Sequence, residues 1–144
     1  MEARVSEAFD AQVFEAVARI WEATGVGNPA RGDSCDSVEA TLRHGGKLLT
    51  VRVGEEIVGV CWLTCDGRRL YLHHMAVAPQ HQGRGLARRL LEHALAYARE
   101  RGLQMKLEVH RANARARRLY EHYGFASLGE YEVLICRKVG GANG

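Results

Sequence analysis

A glycine-rich stretch in the middle of the chain has the residue types of an anion-binding turn. It runs from an apolar strand at Met75–Val77 through Pro79 to Gly83 and Gly85, and a segment with helical periodicity follows. The first turn of a helix has N–H groups without intrahelical partners, and the helix dipole adds positive potential there. Glycines let the backbone approach a phosphate closely. The stretch therefore predicts a phosphate or pyrophosphate site at the start of the helix that begins near Gly85.

Three phosphate-binding motifs are alternatives for this turn. A P-loop ends in Gly-Lys-Ser/Thr, which this stretch lacks. The dinucleotide fingerprint requires a third glycine where this chain has Arg88, although Glu108 lies near the distance expected for its acidic residue. The third pattern, Gln-x-x-Gly-x-Ala, is matched by Gln82, Gly85 and Ala87. An ordinary strand-to-helix turn without a ligand is the remaining interpretation.

Size and composition limit the classes of protein that fit. A length of 144 residues, with 47% hydrophobic and 26% charged residues, is typical of one globular domain. The net charge of +3 suits an anionic ligand and does not indicate nucleic acid. The first residues lack the apolar run of a signal peptide, and no segment approaches the roughly 20 apolar residues of a membrane span. We therefore expect a soluble cytoplasmic protein without nucleic-acid or membrane partners.

The cysteines and histidines do not predict a metal site. The four cysteines form no Cys-x-x-Cys pair, and two of them, Cys61 and Cys65, lie in an apolar strand. They are interpreted as small, reduced core residues. Five of the seven histidines show no spacing typical of metal ligands, and no metal is expected: His44, His81, His93, His110 and His122.

Hydrophobic periodicity predicts an α/β (α+β) fold with one mixed, mostly antiparallel sheet. The predicted element order is β-α-α-β-β-β-α-β-α-β-β, as a single domain over residues 1–139 with a flexible tail at Gly140–Gly144. The loop Gly25–Asp36 is either a plain connector or a wall of an acceptor site. The predicted strands are Ala3–Val5, Lys47–Val53, Glu56–Cys65, Arg69–Val77, Gln104–His110, Phe125–Leu128 and Glu130–Lys138.

A second, longer pattern lies after the glycine turn. It reads Asn-x-x-Ala-x-x-Leu-Tyr-x-x-x-Gly-Phe and runs from Asn113 to Phe125 with every defining position filled. Together with the preceding Gln-x-x-Gly-x-Ala turn, it resembles the GNAT superfamily of acetyl-CoA-dependent N-acetyltransferases. The resemblance covers roughly Glu56 to Phe125. The Leu-Glu-Val sequence around Glu108 is most similar to the branch that acetylates the N-terminal alanine of a ribosomal protein.

The resemblance implies a fold with helices on both faces of the sheet and two splayed central strands, here Tyr71–Val77 and Gln104–His110. The pantetheine arm of acetyl-CoA lies in that gap, paired to the backbone of the first strand and hydrogen-bonded by Asn113. Backbone N–H groups of the glycine turn hold the pyrophosphate, and two arginines are candidates for phosphate contacts. The implied acetyl-CoA-binding residues are Met75, Ala76, Val77, Gln82, Gly83, Arg84, Gly85, Leu86, Ala87, Arg88, Asn113 and Tyr120.

The resemblance also implies an acid and a base. Tyr120 matches the acid that protonates the departing CoA thiolate, and its alternative is a core aromatic residue. Glu108 matches the base of the ribosomal branch, and its alternative is a solvated residue on the polar face of a strand. His73 falls where serotonin N-acetyltransferases carry a histidine. His73 and His74 are adjacent, so an extended strand sends them to opposite faces, and either is a candidate base or a structural histidine.

The predicted function is transfer of an acetyl group from acetyl-CoA to a primary amine. Direct attack in a ternary complex is expected, since the reaction needs no nucleophilic cysteine. The acceptor is either a small amine or a peptide N-terminus, and the sequence does not distinguish them. The rival hypothesis is a non-catalytic CoA-binding sensor on the same fold. The final strand, Glu130–Lys138, is a possible homodimer edge.

Overall fold

The computed structural model describes residues 2–140 of the chain. The chain divides into two compact units, unit 1 (Met1–Glu108) and unit 2 (Val109–Gly144). The prediction of a single domain over residues 1–139 stays a prediction. The tail predicted at Gly140–Gly144 lies, apart from Gly140 itself, outside the described residues.

Unit 1 contains a five-stranded sheet and three α-helices within the described residues. The strands are β1 (Ala3–Ser6), β2 (Lys47–Val53), β3 (Glu56–Cys65), β4 (Arg69–Val77) and β5 (Gln104–Leu107). The helices are α1 (Ala11–Thr24), α2 (Cys35–Leu42) and α3 (Leu86–Arg101), with short 3₁₀ turns at Pro29–Arg31 and Pro79–His81.

The sheet is mixed and mostly antiparallel, as predicted. Its strand order is β1-β2-β3-β4-β5, in which the first four strands are antiparallel neighbours and β5 runs parallel to β4. A parallel neighbour requires a crossover connection, and α3 provides it between β4 and β5. The predicted hairpin of β2 and β3 is confirmed, and Gly54 begins its turn with a φ of 64°.

Helix α1 packs one apolar face on the sheet. It begins where the Asp10 carboxylate accepts the N–H of Val13 at 2.8 Å, and it ends at Gly25, which has a φ of 74°. Its apolar side chains recur at helical spacing and join a core cluster with residues of α2, β2, β3 and β4. The α1 residues of that cluster are Val13, Val17, Ile20 and Trp21.

Helix α3 covers the opposite face of the sheet, so helices lie on both faces as predicted. A Cβ atom added at Gly59 in β3 would lie 3.4 Å from Leu90 of α3 and 2.8 Å from Val51 of β2. The neighbouring Val60 belongs to the cluster on the α1 side, as alternation along a strand requires. Cys61 is fully buried, and burial raises the pKa of its thiol to about 12. This confirms its interpretation as a core residue.

Unit 2 contains helix α4 (Ala114–His122) and, within the described residues, no strand. The predictions of strands at Phe125–Leu128 and Glu130–Lys138 are therefore wrong. Alternating apolar residues form a strand only when a ladder partner and a buried face are available. Here the large apolar side chains between Leu128 and Ile135 are 60–87% exposed. The strand edge assigned to Glu130–Lys138 is therefore absent, and the homodimer itself stays a prediction.

Candidate functional site

Strands β4 and β5 separate partway along their length. Their ladder runs from the pair Arg69–Gln104 to the pair Leu72–Leu107, where β5 ends. Strand β4 continues to Val77, so within the described residues His73–Val77 has no ladder partner on the β5 side. The predicted separation of the two strands is thus observed, although β5 stops three residues before the predicted His110. In the part of the chain that is described, this opening, His73–Val77, leaves the β5 side of the main chain of Met75, Ala76 and Val77 without a ladder partner, and the side chains of Ala76 and Val77 are buried.

A β-bulge at His74 interrupts β4 at the start of this opening. The register with β3 shifts between the pairs Trp62–His73 and Val60–Ala76, and His74 has a φ of 51°. Positive φ is uncommon for a residue other than glycine. The extra residue changes the alternation of side chains. As a result, the rings of His73 and His74 lie 5.6 and 6.0 Å from the Trp62 ring, and the prediction that they point to opposite faces is wrong.

Three contacts hold His74 in this conformation. Its ring nitrogen Nε2 lies 3.0 Å from Asp33 Oδ1, and its backbone carbonyl accepts the indole N–H of Trp21 at 3.1 Å. The Trp21 ring also packs edge-on against the imidazole at 5.2 Å. Asp33 belongs to the loop before α2, and its second oxygen, Oδ2, accepts the N–H of Asn28 at 2.5 Å. The Gly25–Asp36 loop is therefore tied directly to β4.

His73 is partly buried and has a different partner. Its Nε2 lies 2.8 Å from Thr64 Oγ1 on β3, and its ring stacks on Tyr71 at 6.4 Å. Burial lowers the pKa of His73, and the neighbouring His74 lowers it further. The charges of Glu108 and Asp33 act in the opposite direction. Because the lowered pKa favours the neutral imidazole near pH 7, His73 is able to accept a proton there.

Glu108 lies directly after β5 and is exposed. Its charge acts on the pKa of His73, so the candidate bases His73, His74 and Glu108 lie in one region of unit 1. The structure thereby brings together the three alternatives that sequence analysis left open.

The glycine turn joins β4 to α3 as predicted. Gly83 and Gly85 have φ values of 82° and 76°, a conformation that disfavours a side chain. Gly85 is the N-cap of α3 and, in the described part of the chain, no side chain caps that helix end. The first N–H groups of α3 are thus left for a ligand. A Cβ atom added at Gly85 would meet nothing within 4 Å among the described residues.

Gln82 stabilises the turn through its side chain. Its Nε2 donates to the carbonyl of Val77 at 2.9 Å, which ties the start of the turn to the end of β4. The Gln82 side chain was not predicted to contact a ligand. The hydrogen bond to Val77 shows that its side-chain amide has a structural role in the turn. Arg84 and Arg88 are both exposed near the N-terminus of α3, and the Leu86 side chain is buried whereas Ala87 is partly buried.

The two candidate residues of unit 2 lie on α4 and its cap. Asn113 is the N-cap of α4, and its Oδ1 accepts the N–H of Ala116 at 3.2 Å. Tyr120 is 6% exposed and packs edge-on against Phe125 at 5.7 Å. Both residues therefore have structural roles within unit 2, and their roles in chemistry stay predictions.

Asp33 was not among the predicted site residues. It lies 41 residues before His74, and no motif spacing links the two positions. Trp21 belongs to the core face of α1, and its indole N–H also donates to the His74 carbonyl, 53 residues further along the chain. Within residues 2–140, no group of three or more His, Cys, Asp or Glu side chains is arranged to hold a metal ion. No helix in that range is long and apolar enough to cross a bilayer.

Comparison with known proteins identifies the class of this fold and site. The model of the family described as "Acetyltransferase (GNAT) family" matches residues 12–125. The chain therefore belongs to the GNAT family of acetyltransferases. Members of this family are described as acetyltransferases.

Individual relatives agree with this assignment. The chain is 44% identical over 63 residues to a streptothricin acetyltransferase of Streptomyces lavendulae. That match covers 43% of this chain and 33% of the relative, so the chain spans about a third of the length of this curated protein.

Two solved structures have the same fold. One is AAC(6')-Iy in complex with a bisubstrate analog, with a TM-score of 0.75 and 16% identity over 96% of this chain and 99% of that chain. The other is the ribosomal-protein-S18-alanine N-acetyltransferase from Escherichia coli, with a TM-score of 0.73 and 22% identity over 85% of this chain and 77% of that chain. At these identities the likeness concerns the fold alone.

Proposed function

We propose that this chain transfers an acetyl group from acetyl-CoA to a primary amine by direct attack in a ternary complex. The observation that carries the proposal is the opening of β4 at His73–Val77, which leads directly into the glycine turn and the N-terminus of α3. An extended amide-bearing arm pairs with an open strand, and a pyrophosphate binds at a helix N-terminus. One continuous segment of unit 1 thus offers both kinds of contact that acetyl-CoA requires.

Each acetyl-CoA-binding residue has a proposed task. Met75, Ala76 and Val77 pair with the pantetheine arm through their backbone. The backbone N–H groups from Gln82 to Ala87 hold the pyrophosphate. This range includes those of Gly83, Arg84, Gly85 and Leu86. The side chains of Arg84 and Arg88 supply positive charge. The motif that runs from Asn113 to Phe125 is the basis for two further roles, both in unit 2. Asn113 is proposed to hydrogen-bond pantetheine, and Tyr120 is proposed to be the acid.

Acetyl-CoA supplies an activated acetyl thioester, and the chain supplies position and proton transfer. Backbone N–H groups near Met75 are proposed to stabilise the negative charge that develops on the thioester oxygen. The proton of the amine goes to one of the candidate bases His73, His74 or Glu108.

Direct attack is supported by the state of two cysteines. Burial raises the pKa of Cys61 to about 12, and burial with the charges of Glu39 and Asp36 raises the pKa of Cys35. A thiol with a raised pKa is a poor nucleophile near pH 7. An acetyl-cysteine intermediate on either residue is therefore not expected.

The proposal is tested by thiol release from acetyl-CoA with peptides, polyamines and aminoglycosides as acceptors. We expect release that depends on one of these amines, with intersecting lines when initial rates are measured at several concentrations of both substrates. Parallel lines would contradict direct attack. Tight CoA binding without amine-dependent release would instead favour the CoA-binding sensor.

A further inference from the structure

The pair formed by Asp33 and His74 has features that the fold alone does not require. His74 has a φ of 51°, a conformation that is unfavourable for a residue other than glycine and that persists only where the surrounding structure maintains it. The Trp21 indole, the Asp33 carboxylate and the bulge against β3 together maintain it. Strain that is maintained by several contacts is concentrated at functional sites. The strained residue here lies at the start of the opening of β4.

The contacts of Asp33 define which nitrogen of His74 carries the proton. An ionised carboxylate only accepts hydrogen bonds, so the ring nitrogen 3.0 Å from Asp33 Oδ1 donates as Nε2–H. In the neutral ring the other nitrogen, Nδ1, is then the acceptor. Asp33 is itself fixed, because its Oδ2 accepts the N–H of Asn28. Its side chain is 12% exposed and that of His74 is 28% exposed, so water competes weakly for the pair.

We propose that His74 Nδ1 takes the proton of the acceptor amine, and that Asp33 is the positioning residue that keeps this nitrogen unprotonated. This inference rests on the proposed acetyl transfer. The amine nitrogen forms a bond to the thioester carbonyl carbon while the bond from that carbon to sulfur breaks. The proton leaving the amine nitrogen goes to Nδ1, directly or through one water, and the thiolate receives a proton from the acid assigned to Tyr120.

The neighbouring groups distinguish His74 from the other candidate bases. His73 lies beside it, but its Nε2 contacts the hydroxyl of Thr64. Because a hydroxyl can either donate or accept a hydrogen bond, this contact does not determine the tautomer of His73. Glu108 is exposed, and its charge acts on His73. Among the three candidates in the described residues, a carboxylate partner is observed for His74. Through Asp33, the segment Gly25–Asp33 of this loop belongs to the acceptor side, the alternative to a plain connector, whereas Asp36 lies in α2.

The variant Asp33→Asn tests this arrangement because its geometry is determined by Asn28. The N–H of Asn28 requires an acceptor, so the new amide oxygen takes the place of Oδ2 and the NH₂ group faces His74 Nε2. Nε2 then becomes an acceptor, and the ring proton moves to Nδ1, the nitrogen that the reaction needs free. Asp36→Asn is the matched control, since it removes the same charge three residues further on, from an exposed position in the first turn of α2.

Two measurements are made on these variants. Long-range ¹H–¹⁵N NMR of the protein without acetyl-CoA reports the imidazole tautomer, and His74→Asn assigns the signal and tolerates positive φ. Initial rates give kcat and the KM values. For Asp33→Asn we expect the proton on Nδ1 and an unchanged KM for acetyl-CoA. We expect kcat to fall at least about 10- to 100-fold, the range found when the partner of a metal-bound histidine is removed. Asp36→Asn should leave the His74 tautomer, kcat and the KM for acetyl-CoA unchanged. His74→Asn should lower kcat by roughly 10²–10⁴.

Several outcomes would overturn the inference. If the wild-type chain turns over an amine and His74→Asn keeps full kcat, His74 is not the base, whatever Asp33→Asn does. A moved proton with an unchanged kcat in Asp33→Asn would also contradict it, as would a large loss in Glu108→Gln combined with none in His74→Asn. A wild-type chain that acetylates no amine would refute both the proposed function and this inference. An unexpected His74 tautomer by NMR would refute this inference and leave the proposed function standing.

Discussion

Replacing Gly85 by leucine should weaken CoA binding far more than it destabilises the protein. Gly85 has a φ of 76°, and an L-residue in this conformation costs about 1–2 kcal/mol. A Cβ atom at Gly85 would meet nothing within 4 Å in the described structure, so the protein opposes no steric contact to the first atom of the new side chain. The space that the new side chain enters is, in our account, the space of the pyrophosphate.

The loss of affinity follows from the contacts that a displaced phosphate gives up. A hydrogen bond to a charged group contributes about 1.5–3 kcal/mol. Since roughly 1.4 kcal/mol corresponds to a factor of ten, losing one such bond raises the Kd for CoA about 10- to 100-fold. Isothermal titration calorimetry with CoA measures this change, and thermal unfolding measures the loss of stability.

Gly102→Leu is the matched control at the other end of α3. Gly102 has a φ of 68°, its Cβ position is equally open to the described residues, and its N–H caps the carbonyls of Ala98 and Arg99. A leucine there keeps the N–H and has a similar backbone strain, at the far end of a helix that is ~24 Å long. We expect Gly85→Leu and Gly102→Leu to lose similar amounts of stability. We expect only Gly85→Leu to lose CoA affinity. Similar CoA affinities for the two variants would refute the anion site at the glycine turn.

Three further variants test other parts of the account. Tyr120→Phe keeps the ring contact with Phe125, so we expect unchanged CoA affinity by calorimetry and a kcat lowered by roughly 10²–10⁴, and wild-type turnover would refute the acid assignment. Thr50→Val removes a fully buried hydroxyl for which the described residues offer no hydrogen-bond partner, so denaturant unfolding should show a gain of about 1–2 kcal/mol, whereas a loss would mean that the hydroxyl is satisfied. Burial lowers the folded-state pKa of His73, so the unfolded state binds more protons and stability is lost as the pH falls from about 6.5 through the folded pKa. His73→Gln should make that loss smaller in thermal unfolding measured between pH 7 and pH 5, and an unchanged pH dependence would contradict the buried histidine.

Much of unit 1 could be predicted from the sequence because its signals are local. Helix α3 begins after Gly85 and ends before Gly102, where glycines mark both ends of the periodic segment. The β2–β3 hairpin is defined by its turn glycine and by the apolar runs on either side. The separation of β4 from β5 was expected from the family resemblance rather than from any local pattern.

The features that were not predicted, or were predicted wrongly, depend on contacts between residues that are distant in sequence. The bulge at His74 reverses the expected direction of one side chain, and it is maintained by Trp21 and Asp33, which are distant in sequence. The strands predicted after Phe125 had a suitable alternation of apolar residues. A strand also needs a neighbour to pair with, and the sequence of a segment does not provide that information. The predicted acid, Tyr120, and the cap residue Asn113 were found through a motif, and their chemistry awaits the experiments above.

Transfer of an isotopically labelled acetyl group tests the central claim most directly. The chain is incubated with acetyl-CoA carrying ¹³C in the acetyl group and with the panel of peptides, polyamines and aminoglycosides, and the products are analysed by mass spectrometry and NMR. The account predicts that the label appears as an amide on the nitrogen of one acceptor, at a rate that falls in Tyr120→Phe and in Asp33→Asn. Label that remains in the thioester, or that appears only as free acetate with every amine, would contradict it.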